Sequence, residues 1–156
     1  VTTMTAKPVT LPHTWRPFGA RMMGTALGVM LLVLTLAVWI AFGPDVRARF
    51  TVFQKSTLVF LGLIALGVWF ALMRSRVSVD DQGVTVVNGY RTRHYDWSQI
   101  VAVNLRRGAP WAGLDLSDGT SISAVAIQSS DGSRAQQAVR DLRRLVVENT
   151  PAPPEG

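Results

Sequence analysis

Two stretches of the chain carry no charge, and beyond them apolar and polar residues mostly alternate. From Met22 to Phe42, MMGTALGVMLLVLTLAVWIAF, twenty-one uncharged residues run up to Gly43-Pro44. As a helix rising about 1.5 Å per residue they span about 30 Å, one hydrocarbon core. From Ser56 to Met73, STLVFLGLIALGVWFALM, eighteen more are uncharged, about 27 Å, enough to cross when flanking Lys55 and Arg74 snorkel. After Arg76 the apolar period drops to two. Val77 and Val79 precede a turn at Asp81-Gln82-Gly83, and Val84 and Val86 resume the pattern as a hairpin.

A second hairpin is expected in WAGLDLSDGTSISAVAI, with Leu114 and Leu116 on one face, Asp118-Gly119 in a type I′ turn, and Ile122 and Ala124 inward. Between the hairpins, strands are predicted near Tyr90–Tyr95 and Ile100–Leu105, the latter ending in the loop Arg106–Pro110. The total is about six strands. The last periodic segment, SDGSRAQQAVRDLRRLVVENTP, repeats Ala135, Val139, Leu142 and Val146 at helical spacing. Asp131 or Ser133 is suited to cap this helix, and Asn149 and Pro151 to stop it.

The two apolar runs predict a two-pass hairpin, because the connection from Gly43 to Lys55 is short. The first run is too long and too far from the start for a signal peptide, and no A-x-A site comes after it. Lys7, Arg16, Arg21, Arg74 and Arg76 flank the outer ends, against Arg47, Arg49 and Lys55 in the loop, which favours cytoplasmic termini at the plasma membrane. Ala20, Gly24 and Gly28 recur every four residues, and Gly67 and Ala71 offer a matching pair. Small residues at that spacing let helix backbones approach closely, either within the hairpin or along a homodimer seam. Trp15, Phe18, Trp39 and Trp69 sit where rings anchor at membrane interfaces. The predicted organisation is an irregular proline-containing arm (1–21), a hairpin (22–73, with spans 22–42 and 56–73), a small α+β domain (76–148) and a disordered proline-rich tail (149–156).

Charge placement changes what the net +6 means. Up to Met73, Lys7, Arg16, Arg21, Arg47, Arg49 and Lys55 face a single acid, Asp45, whereas ten arginines face nine acids from Arg74 onward. The basic excess thus flanks the apolar runs, where it meets anionic headgroups, and the nearly neutral α+β domain has no nucleic-acid footprint. The absence of cysteine removes disulfides and thiolate metal sites. His13 and His94 are the only histidines and form no H-x-x-x-H pair. Asp80, Asp81, Asp115 and Asp118 fall in turns, where aspartate bonds to local backbone. No phosphate-binding loop, dinucleotide fingerprint or nucleophile elbow occurs. The expectation is a protein without enzymatic activity, metal or cofactor.

Two spanning helices, Val-rich hairpins, the DWSQI of residues 96–100, the LDLSDGT hairpin of 114–120 and one C-terminal helix resemble small actinobacterial membrane proteins. These carry a bacterial pleckstrin-homology (PH-like) domain, of the low-molecular-weight-antigen-6 type. The resemblance covers most of 15–148 and implies a bent antiparallel sheet or split barrel with one helix, on a membrane hairpin, acting as a scaffold or interaction module. Phosphoinositide-binding PH domains resemble one another in a basic first hairpin loop. Here that loop is DDQG, which argues against this mode of binding.

The segment YRTRHYDWSQI concentrates the remaining candidates. Strand parity puts Arg91, Arg93, Tyr95 and Trp97 on one side and Tyr90, Thr92 and His94 on the other. Trp97 and Ile100 read as core anchors at a corner. Arg91, Arg93 and Tyr95 read as an exposed patch for a protein partner or headgroups, with Arg74, Arg76, Arg106 and Arg107 as further contacts. The expected partners are the lipid bilayer and an unidentified protein, with docking to that protein as the first reading and recognition of anionic lipid as the alternative.

Overall fold

The computed structural model describes residues 9–150. The described residues divide into two compact units: 18–73 forms one, while 9–17 and 74–150 together form the other.

The first unit is helical. α1 (Phe18–Ala41) and α3 (Val52–Arg74) are each long and apolar enough to cross a membrane, with a short α2 (Pro44–Arg49) between them. α3 begins one turn earlier than the charge-free run indicates, so Lys55 lies within it. The cause is a reciprocal cap: Gln54 N donates to Thr51 Oγ1 at 3.3 Å, and Thr51 N donates to Gln54 Oε1 at 3.0 Å. At the loop end, the Phe50 ring sits edge-on to Trp39 (centroids 5.5 Å apart) and beside Phe42. At the opposite end Arg21 donates to the Met73 carbonyl, and Trp69 Nε1 donates to Thr25 Oγ1 at 3.1 Å. The Trp69 indole therefore spends its polar atom within the hairpin.

Among the described residues the second unit holds seven strands rather than six. The arm expected to be irregular contributes β1 (His13–Trp15), which pairs antiparallel with β2 (Arg76–Val79) through His13↔Val79 and Trp15↔Val77. β3 (Gly83–Asn88) and β4 (Arg91–Asp96) complete a four-stranded sheet in the order β1-β2-β3-β4. A three-residue strand has too few positions to display a period, so only its partner identifies it. Trp15 consequently packs, partly buried, against the sheet core. Because β1 precedes the helical hairpin and β2 comes after it, both ends of the hairpin must lie on one side of any membrane it crosses.

β5 (Ile100–Asn104), β6 (Trp111–Leu116) and β7 (Ser121–Gln128) form the second sheet, in that order. α4 (Ser133–Asn149) packs on it and closes the core with Ala135, Ala138, Val139, Leu142, Leu145 and Val146. Arg134, Arg140, Arg143 and Arg144 lie on its exposed side. Neither Asp131 nor Ser133 caps α4. Gly132 takes that position with no side-chain bond, because Asp131 ends a preceding 3-10 turn. The helix runs through Asn149, and Thr150 closes it, donating from N to the Val146 carbonyl at 2.9 Å. Residues 151–156 of the expected tail lie outside the described residues.

Two glycines are dictated by local geometry. A Cβ at Gly83 would stand 2.1 Å from the Tyr95 carbonyl oxygen, so β3 and β4 approach each other only with hydrogen there. Gly119 has φ 83°, but Asp118 does not share the positive φ that a type I′ turn requires. The β6–β7 connection is instead a four-residue loop, closed by Gly119 N donating to the Leu116 carbonyl at 3.0 Å and Leu116 N donating to that of Thr120 at 2.8 Å. Asp118 Oδ1 accepts from Thr120 N at 2.9 Å and from its hydroxyl at 2.6 Å. Those donors hold the Asp118 carboxyl below its ordinary value.

Candidate functional site

The cross-strand rows of the first sheet show how its inner face ends. Along one row Trp15 pairs with Val77, Val77 with Val86, and Val86 with Arg93. Along the next, His13 pairs with Val79, Val79 with Val84, and Val84 with Tyr95. The four valines are buried members of the core. Arg93 and Tyr95, and beyond them Arg91 opposite Asn88, thus continue the core-facing side of the sheet to its last strand. Charged groups leave water only at considerable cost, so guanidinium groups on that side mark where the core ends.

These residues line a cleft of about 240 Å³ between β4 and β7, formed by Val86, Asn88, Arg91, Arg93, Tyr95, Ile122 and Ser123. The lining contains two cations and no carboxylate. Arg91 and Arg93 are exposed, and among the described residues neither side chain has a hydrogen bond or ion pair. Tyr95 differs from the expected exposed patch: it is only 8% accessible, and its buried Oη has no hydrogen-bond partner. Its ring packs in the core because Val84 lies opposite and Gly83 admits the chain closely. Tyr95 is one of the cleft's lining residues, but its Oη has no exposed surface.

Asn88 fixes one wall. Its Nδ2 donates to the Ser123 carbonyl at 2.6 Å, and its Oδ1 accepts from Val125 N at 3.1 Å. The side-chain amide stands in for a neighbouring strand and ties the end of β3 to the edge of β7. Sequence reading missed it, since Asn88-Gly89 carries an ordinary turn signature. Ser123 also gave no signal, because its position depends on how the second sheet folds over the first.

The other sequence candidates do not gather here. Arg76 pairs with Val87, which pairs with Thr92, so Arg76 lies on the face opposite Arg91 and Arg93. His94 shares that outer face. Its Nδ1 lies 2.9 Å from Thr85 Oγ1, and its Nε2 lies 3.6 Å from Asp96 Oδ1. Arg74 is exposed at the end of α3, and Arg106 and Arg107 are exposed in the β5–β6 loop. Asp80 does what turn aspartates do: its Oδ1 accepts from Gln82 N and Gly83 N at 2.9 and 3.0 Å. Trp97 and Ile100 lie in the core. Trp97 Nε1 donates to the Asp80 carbonyl at 3.2 Å, and Gln99 Oε1 accepts from Asp96 N at 2.9 Å, shaping the corner between the sheets. Within the helical unit, a Cβ on Gly24 would meet Leu72 Cδ2 at 2.8 Å, whereas Gly28 has nothing within 4 Å. Ala20, Gly67 and Ala71 are partly buried.

The four strand edges of the two sheets differ. β1 is short; β5 lies under α4, with Arg143 Nε donating to the Val103 carbonyl at 2.5 Å; β7 is clasped by Asn88. β4 has six residues and pairs only with β3. Among the described residues no further backbone bond reaches it.

The profile of a family described as bacterial PH domain matches residues 74–145. Uncharacterized proteins of Mycobacterium tuberculosis and Mycobacterium bovis are 30% identical to the chain over 151 residues, covering 95% of it and 97% of their own length. No solved structure matches the chain significantly.

Proposed function

The chain belongs to the bacterial PH-domain family, and from that premise we propose that it is a non-enzymatic, membrane-anchored interaction module whose PH-like domain docks a protein partner. The observation that carries this reading is the unpaired β4 edge. A strand with free backbone groups is the site at which an extended segment adds to a sheet, main-chain bonds giving affinity and alternate side chains giving specificity. In this reading the α1–α3 hairpin holds the domain at the plasma membrane, with both termini cytoplasmic. A reporter at the C-terminus should be active only in the cytoplasm, and an extracytoplasmic signal reverses the orientation.

Photo-crosslinking separates docking from its competitor. A photoreactive residue replacing Thr92 on β4 should give a discrete protein adduct in native membranes, and one replacing Val101 on β5 should not. Lipid recognition is the second reading, supported by the exposed Arg74, Arg76, Arg106 and Arg107, each worth about 1 kcal/mol near an anionic surface. Lipid adducts without a protein adduct, lost in high salt, favour that reading and sink the first.

A further inference from the structure

We propose that the cleft between β4 and β7 is a carboxylate-binding subsite, and that the segment docked on β4 is acidic at alternate positions. This rests on the docking reading above and specifies the partner's chemistry. Strand periodicity sets the geometry. A segment paired with β4 places every second side chain on the inner face, beside Arg91, Arg93 and Tyr95. Those positions supply two exposed guanidinium groups without side-chain partners among the described residues, next to Tyr95, which also lines the cleft.

Guanidinium groups form their strongest bonds with carboxylate and phosphate oxygens. The cleft's other polar groups, on Asn88 and Ser123, leave it without a carboxylate of its own. Its volume of about 240 Å³ accommodates acidic side chains entering from a neighbouring strand. The outer face of the same strand is different: His94 and Asp96 contact each other there, and Thr85 holds the imidazole. Acidic positions of the partner therefore belong on the inner face alone.

The test uses the full chain in nanodiscs of zwitterionic phosphatidylcholine. The probes are a labelled extended peptide of about ten residues, alternating glutamate with threonine and valine, and its glutamine isostere. The glutamate peptide should bind on the order of tenfold more tightly, as expected for charge-assisted bonds. Arg93→Gln should abolish that preference. Equal binding of both peptides leaves docking intact and overturns the subsite. Failure of both peptides to perturb backbone amide signals of β4 overturns docking and the subsite with it. If inorganic phosphate or anionic nanodiscs perturb Arg91 and Arg93 while the glutamate peptide does not, the cleft takes phosphoryl groups instead, which overturns the carboxylate assignment. Should Arg93→Gln keep the glutamate preference and cause self-association, Arg93 guards the edge and is not part of the carboxylate site, which overturns the assignment.

Discussion

The edges β4 and β5 pose one physical problem and receive opposite treatment. Each is the last strand of its sheet, and each presents backbone groups that would pair with any chain available. α4 packs on β5, its apolar stripe supplying six core residues and Arg143 taking the Val103 carbonyl. β4 has no such cover and carries charge on its core-facing side. An edge closed by an apolar helix serves stability. The open one, with polar groups turned inward, is where stability has been left incomplete, and incomplete satisfaction is what a ligand can supply.

The largest test breaks the closed side. Leu142 is fully buried in α4, so Leu142→Ala should cost about 2–5 kcal/mol, read as a lower denaturation midpoint of the full chain in detergent. Faster hydrogen exchange in β5 than in β4 would show that the helix guards that edge. Asn88→Ala addresses the clasp. It leaves Val125 N–H and the Ser123 carbonyl without their partner, at about 1–3 kcal/mol, and the Val125 amide should exchange faster. Unchanged exchange would mean that the clasp is not what closes β7.

Tyr95→Phe should act in the other direction. It removes an unpaired buried hydroxyl while keeping the ring, so stability should rise by up to about 1 kcal/mol; a loss instead would mean that the hydroxyl already has a partner in the unliganded protein. The smallest effect is a control in the β6–β7 loop, which has no hydrogen bond to β4 among the described residues. Asp118 has a lowered pKa from its Thr120 bonds, so its contribution is present above its ordinary value and fades as pH falls through and below that value. Titrating the chain in that range should shift the Thr120 amide signal and leave β4 signals unaffected.

Much of the architecture was legible along the chain. The charge-free runs required helices, and the alternation of Val77, Val79, Val84 and Val86 required a hairpin with one buried face. The spacing of Ala135, Val139, Leu142 and Val146 required an amphipathic helix, and Trp97 and Ile100 were legible as buried because large apolar groups at a corner have nowhere else to go. Local geometry was less so. Asp118-Gly119 has the composition of a type I′ turn, yet a longer loop formed, since register with β6 and not the dipeptide sets the connection.

The sequence by itself settled periodicities: which segments are apolar throughout, which alternate, and that Arg91, Arg93 and Tyr95 share one side of a strand. It did so because those properties depend on neighbours within a few residues. Only the tertiary structure decided that this side is the core-facing one, that β7 faces it across a cleft, and that Tyr95 is buried with its hydroxyl unsatisfied. It alone recruited His13–Trp15 across a two-helix excursion into the same sheet. Those outcomes depend on contacts between residues far apart in sequence, where a three-residue strand or a lone asparagine has no pattern of its own until its partner is in place.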